Sequence, residues 1–330
     1  MTRKAAKRPR SEAQPSEGRP RQRIGVAFAW HCLAWEELVA LVARAEELGY
    51  DTAYVDGDIS QLALRHETDV LDGWTATNAL VARTRRIRIA SIRLVQHWNA
   101  AHLAQGMATA ERIAPGRSHL FASIGDRPED RAWGLPLLPA SERVAWLDET
   151  LNAVRALWRG ESVTRRGRFV SLEGARVRPL PPGGRLPIEV AAKGARLLEV
   201  VARHADIWNV NWPAIPARVG ASAAELARAC RSERRDPAEI RRRLWIFARP
   251  EPLPRHDALA EFRRWNPWFP DLSDDELAPA LAVGKPAECR ERIASIAADL
   301  QLEMPVIDLS GLEGARAREA LEALPAGDIR

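Results

Sequence analysis

Two tyrosines, three methionines and three cysteines are all that this 330-residue chain has of those types. Cys32, Cys230 and Cys289 are odd in number and far apart, so they form neither a CxxC redox pair nor a Cys/His zinc spacing. They fit a reduced, cytoplasmic setting. No run of about 18 apolar residues is present, which excludes a membrane-spanning helix. Residues 1–22 are basic and polar with no apolar stretch, so no secretory signal is expected. The first strand is not followed by GxGxxG, and neither a GxSxG elbow nor HExxH occurs. Acidic excess is also missing. The net charge is +5, and residues 1–22 hold seven basic side chains against two acidic ones, so the remainder balances to zero. The folded part is therefore not a basic nucleic-acid binder. The tail, rich in Pro, Arg, Ser and Glu, reads as disordered, with at most a weak nucleic-acid contact.

What is present is a 46% hydrophobic composition, enough for a full core, and a repeated strand–helix alternation from Arg23 onward. Strands are expected at 23–30, 51–58, 87–95, 118–125, 186–190, 205–212, 242–250 and 304–311. Helical spacing of apolar residues marks 35–50, with Gly49 as its stop, and further helices follow the other strands. Asp69 is read as the cap of the second helix, and Ser141 as the cap of a long helix that Gly160 stops. Residues 160–185, rich in Gly, Pro and Arg, predict a small β excursion. Eight apolar strands, each followed by a helix, predict a single (β/α)8 TIM barrel over 23–330, with insertions after strands four and seven. A doubly wound open sheet is the alternative.

Several segments carry a family resemblance in a fixed order: "LVARAEELGYDTAYV", "HLAQGMATAERIAPGR", "GLPLLPASERVAWLDETLNAVRALWRGE", "LPIEVAAKGARLLEVVARHADIWN" and "AVGKPAECRERI". They resemble the bacterial-luciferase-like superfamily of flavin- and deazaflavin-dependent oxidoreductases, over residues 23 to about 324. The resemblance implies the same barrel. It also implies a coenzyme, either the deazaflavin coenzyme F-420 or FMN, and a homodimer acting on a small organic substrate. The "AAxG…LLE" form of the loop after strand five is closer to the deazaflavin members than the "GGSGP" form found elsewhere.

That loop breaks an apolar strand with Lys193 and Gly194 just before a helix. A glycine there lets a ligand approach the backbone, a helix N-terminus offers unbonded N–H groups, and Lys193 adds a full charge. Ala192, Lys193, Gly194 and Ala195 are thus the expected seat of the coenzyme phosphate; from spacing alone, a turn with a solvated lysine is the plainer reading. The resemblance further implies a bulged third strand with a non-prolyl cis peptide around Ser91-Ile92-Arg93, beneath the coenzyme ring.

Barrel loops at the C-terminal strand ends form the catalytic face. His31, Asp58, His97 and Asp126 fall at such ends and are the acid–base candidates, with Asn209 and Asn211 as hydrogen-bonding groups and Trp30, Trp98 and Trp212 as walls. Many family members carry a histidine where Asp58 stands, and the deazaflavin glucose-6-phosphate dehydrogenases carry a glutamate where Asp126 stands, so the resemblance does not by itself imply the sugar-phosphate substrate. His102 and His204 read as structural, His66 and His256 as solvated loop residues, and His119 as ambiguous. The segment 250–284 is long for a barrel connection and holds Trp265, Trp268 and Phe269, which predicts a lid; an oligomer contact is its rival. The functional expectation is hydride transfer from a reduced deazaflavin or FMN to a small organic substrate. The alternatives are an FMNH2-dependent monooxygenase, a non-catalytic coenzyme- or partner-binding barrel and, weakest, a metal hydrolase, for which no HxH follows strand one.

Overall fold

Strands of near-continuous Val, Ile, Leu and Ala must be covered on both faces, and a parallel sheet wrapped by helices does this. The computed structural model describes residues 22–28, 33–55, 57, 71–125 and 128–329. The strands are β1 (Gly25–Phe28), β2 (Thr52–Val55), β3 (Arg88–Leu94), β4 (Leu120–Ser123), β5 (Ile188–Ala192), β6 (Ile207–Val210), β7 (Arg241–Arg249) and β8 (Met304–Asp308). Each pairs in parallel with the next, and β8 pairs with β1 through Gly25↔Val306 to close the ring. The helices α1 (Trp35–Glu47), α2 (Gly73–Arg83), α3 (Ala100–Ile113), α4 (Ala140–Trp158), α5 (Ala195–His204), α6 (Pro216–Ser232), α7 (Pro286–Asp299) and α8 (Gly314–Ala323) follow their strands in turn. The closed ring rules out the open doubly wound sheet.

Two cores result. A large one lies between strands and helices, and a small one fills the barrel with Ala27, Tyr54, Ala90, Phe121, Ala191, Met304 and Val306, against which Ile92 and Trp245 pack. Period two decides this sorting, because alternate residues of each strand point to the axis. The β excursion is a two-stranded antiparallel hairpin, Val163–Arg166 with Ser171–Ala175, between α4 and β5. Between β7 and α7 the chain adds a helix, Arg255–Trp265, and a short helix, Asp274–Leu277, whose start is fixed by a Ser273–Glu276 capping box.

Three local expectations need correction. β3 contains no cis peptide; the one among the described residues is Arg178–Pro179. Val55↔Ser91 on one side and Ile92↔Phe121 on the other keep β3 in parallel ladders, which hold the strand extended with nothing to offset the roughly 3 kcal/mol of a non-prolyl cis bond. The α2 cap is Asp72, whose Oδ1 accepts from Thr75 N at 2.8 Å, because a cap must immediately precede the first turn to reach its amides. Asp69 lies outside the described residues. Finally, α4 begins at Ala140 with Pro139 extended before it, so Ser141 sits inside the first turn and caps nothing.

Candidate functional site

The C-terminal mouth of the barrel opens into a cavity of about 640 Å³, within the range of small-molecule and cofactor sites. β5 ends in it. Ala191, Lys193, Gly194 and Ala195 line the wall, followed by Arg196 and Leu197. Ala192 does not, because the strand alternation turns it outward. It is fully buried, and its carbonyl accepts from Trp208 Nε1 at 2.9 Å. Gly194 is the extended residue before α5. Its carbonyl accepts from Leu197 N and Leu198 N, both at 3.0 Å, which leaves the Ala195 and Arg196 amides without an intrahelical acceptor. A Cβ at Gly194 would meet nothing within 4 Å, so the backbone here borders open space.

Lys193 faces the β7–α7 insertion. Its Nζ lies 5.0 Å from the Trp212 ring centroid and 4.9 Å from that of Phe269, and 3.5 Å from the Trp268 carbonyl. One ammonium therefore touches the strand-six end and the insertion together. Phe262, Trp265, Asn266, Trp268 and Phe269 all line the cavity. Phe262 stacks near Phe269 at 6.2 Å and meets Phe247 edge-on at 5.6 Å, forming an aromatic arch from β7 across the mouth. The base of the insertion is pinned by charge. Arg249, fully buried, donates to Glu261 Oε2 at 2.6 Å and to the Ser310 carbonyl at 2.6 Å, and Arg316 donates to Glu261 Oε1 at 2.9 Å.

Beneath the cavity a polar layer crosses the barrel. Glu189 on β5 is fully buried and accepts from Arg243 Nη1 at 2.7 Å, Tyr54 Oη at 2.9 Å and Asn209 Nδ2 at 2.7 Å. His119 Nε2 lies 3.1 Å from Glu189 Oε2, within ion-pair range but out of hydrogen-bond alignment. Burial would raise the Glu189 pKa. The Arg243 guanidinium, His119 and the Asn209 amide outweigh burial and hold it at about 2. Burial also lowers the His119 pKa against the pull of Glu189. The layer continues downward through Arg243 to Glu303, and from Glu303 to Arg23 and Asp51.

The sequence-derived candidates divide as follows. Ile92, Lys193, Gly194, Ala195, Asn209, Asn211 and Trp212 meet in the cavity. Ser91 does not. Its hydroxyl bonds Thr77 of α2 at 2.7 Å and Arg93, on the outer face of β3. His97 belongs to a 3-10 turn after β3 and is not in the wall. Trp98 packs on Trp74 with their centroids 5.1 Å apart, again outside the wall. His31, Asp58, Asp126 and Trp30 lie outside the described residues, as do Cys32, His66 and the basic tail. His119 is a buried barrel histidine, His204 is held by Asp148 at 2.9 Å, His102 is exposed on α3, and His256 is exposed on a helix rather than a loop. Sequence reasoning missed Trp245, Phe247, Asp308 and Ser310, all in the wall. The signal for Asp308 was available: it is an acid at the C-terminal end of an apolar strand, followed within three residues by glycine.

Among the described residues no group of three or more His, Cys, Asp or Glu is placed to hold a metal, and no helix is long and apolar enough to cross a membrane. The family model described as luciferase-like monooxygenase matches residues 10–302. An "F420-dependent glucose-6-phosphate dehydrogenase" of Mycobacterium avium (strain 104) is 32% identical over 189 residues, which are 56% of this chain and 55% of that one. The match thus spans about half the length of this curated relative. Among solved structures, an "F420-dependent secondary alcohol dehydrogenase in complex with an F420-acetone adduct" superposes with a TM-score of 0.80 at 16% identity, over 93% of this chain and 99% of that one. A "long-chain alkane monooxygenase" superposes with a TM-score of 0.73 at 13% identity, over 93% and 91%. At these identities the structural likeness establishes the barrel fold.

Proposed function

The chain belongs to the luciferase-like monooxygenase family, and from that premise we propose that it is an oxidoreductase using a reduced deazaflavin, coenzyme F-420, or FMN to transfer hydride to a small organic substrate. The observation that carries this is the β5–α5 turn. Among the described residues the Ala195 and Arg196 amides have no acceptor, the space above Gly194 is open, and Lys193 and Arg196 flank it, all at the rim of a cavity with apolar walls. A phosphorylated tricyclic coenzyme needs this pairing of an anion seat with a flat apolar slot. Lys193, Gly194, Ala195 and Arg196 would hold the phosphate. Ile92 and Phe121 would border the ring, and the Asn209 amide would stand at its polar edge. When bound, the coenzyme supplies or accepts the hydride. The deazaflavin is favoured by the 52–56% of the chain that aligns with F420-dependent relatives.

The protein's own part is to orient and to exclude water. Residues 250–284 act as a lid, held at the base by Arg249, Glu261 and Arg316 and meeting the phosphate loop through Lys193. Asp58, Asp126 and His31 remain acid–base candidates from the sequence, outside the described residues, whereas His97 lies in a turn away from the wall. A cytoplasmic homodimer is part of the same proposal, resting on buried free thiols at Cys230 and Cys289 and on the family resemblance.

Among the described residues four tryptophans line the cavity, so a bound ring should quench emission strongly. Titration of the full chain with coenzyme F-420 and, separately, with FMN tests the reading. Saturable quenching by the deazaflavin alone supports hydride chemistry. Quenching by FMN alone moves the assignment to flavin monooxygenation, and quenching by neither leaves a barrel that binds no coenzyme.

A further inference from the structure

The cavity has two chemically different ends. The ring order of strands sets β5 opposite β1, so the anion seat after β5 lies across the mouth from the ends of β7, β8 and β1. Every cationic side chain in the described wall, Arg143, Lys193 and Arg196, lies on α4 or the β5–α5 turn. The β7–β8–β1 end contributes Phe28, Trp245 and Phe247, and Phe262 and Trp265 of the insertion close over it. Arg249, the nearest buried cation, is committed to Glu261 and the Ser310 carbonyl and is not in the wall.

Among the described residues one carboxylate stands in this aromatic end. Met304 and Val306 fill the barrel axis, and the same alternation aims Asp308 at the axis one layer higher, opposite Phe247 and Ala27. Asp308 is 2% exposed. Its Oδ1 accepts from Ser310 N at 2.9 Å, and among the described residues nothing donates to Oδ2. Burying a carboxylate against rings is costly; the attraction of the nearby Arg249 guanidinium offsets part of that cost without bonding Oδ2, and Asp308 keeps its place in the cavity wall.

We infer that this end is the substrate subsite for an apolar alcohol or ketone, and that Asp308 Oδ2 is the group bonded to the substrate oxygen. The inference rests on the oxidoreductase reading and narrows it. In alcohol oxidation the hydroxyl proton goes to the Asp308 carboxylate, the C–H electron pair leaves as hydride to the oxidised deazaflavin, and the C=O bond forms. In ketone reduction hydride comes from the reduced coenzyme and protonated Asp308 returns the proton. Among the described residues a sugar phosphate would meet rings and no cation in the wall at this end, which disfavours it.

The test has two arms. In the first, the full chain is titrated with 2-alkanones from butanone to octanone, and with glucose 6-phosphate, by tryptophan emission. Affinity should rise about fourfold per added methylene, the transfer free energy of one CH2. A flat series, or tighter binding of glucose 6-phosphate, overturns the subsite. In the second, deazaflavin-saturated protein is assayed with the matching 2-alkanols. Asp308→Asn should lower kcat by about 10²–10⁴-fold, the usual span for a lost acid–base group. Coenzyme affinity should stay unchanged, kcat should fall with KM for the alkanol little changed, and Asp308→Glu should recover part of the rate. Equal turnover by Asp308→Asn, or no turnover of any alkanol by coenzyme-saturated wild type, overturns the role of Asp308. Failure to bind coenzyme at all instead overturns the oxidoreductase reading, and the alkanone series then decides the apolar subsite alone.

Discussion

Glu189→Gln removes one charge from the barrel axis and almost no volume. Glu189 is fully buried with a pKa held at about 2, against an unfolded value near 4.5. A tenfold change in proton affinity is worth about 1.4 kcal/mol, so the folded state favours the ionised carboxylate by about 3 kcal/mol. The same loss follows from structure. The variant leaves Arg243, 2% exposed, with the Glu303 carboxylate at 3.2 Å and the neutral Tyr54 hydroxyl at 2.8 Å, and stripping one partner from a buried ion pair costs about 3–5 kcal/mol. A lowered carboxylate pKa stabilises above the unfolded pKa, and that stability is lost as pH falls through the folded one. Urea unfolding followed by tryptophan emission should therefore show the variant about 3 kcal/mol less stable at pH 7. The gap should narrow from about pH 4.5 downward and close near pH 2. Asp51, also held at about 2 against the lift of burial by Arg23, Arg88 and Thr52, titrates alike in both proteins and cancels in the difference. Equal midpoints at pH 7, or a gap that ignores pH, would refute the assignment of Glu189 as a charged keystone.

Lys193→Ala should weaken deazaflavin binding about tenfold or more, since a hydrogen bond to a charged group contributes about 1.5–3 kcal/mol; titration at low and high salt reads it, and unchanged affinity at both removes Lys193 from the phosphate seat. Gly311→Ala should displace Trp265, because Gly311 has φ +84° and a Cβ there would overlap the Trp265 indole; red-shifted emission and weaker alkanone binding are expected, and an unchanged spectrum would show that the indole moves without consequence. Arg249→Met should free the base of the insertion by breaking its contacts to Glu261 and Ser310, seen as faster protease cleavage within 250–284. Burial pushes the Cys289 thiol up to about 12, so peptide mapping after iodoacetamide at pH 8 should find it unlabelled in folded protein and labelled in urea.

Much of the barrel was readable from residue order alone. α1 runs within the 35–50 span its apolar spacing predicts, and the β5–α5 turn at Lys193-Gly194 is where the register change placed it. These are local matters: a 3.6-residue period, a glycine between strand and helix, and an apolar run too short for a helix each fix their own neighbourhood. What sequence alone could not decide is which alternate residues of each strand face the axis. The run "RRLWIFAR" does not say whether Trp245 or Ile246 points inward, and a one-residue choice exchanges the two sets entirely. That choice turned Ser91 and Ala192 away from the cavity and aimed Asp308 into it. The Glu189–Arg243–Tyr54 layer joins residues up to 189 positions apart, and only closure of the ring brings them together. Sequence therefore determined the strands, helices and β5–α5 turn, whose causes lie within a few residues. The inward set, the buried charge layer and the two-ended cavity arise from register and closure, which bring together side chains that no local pattern relates.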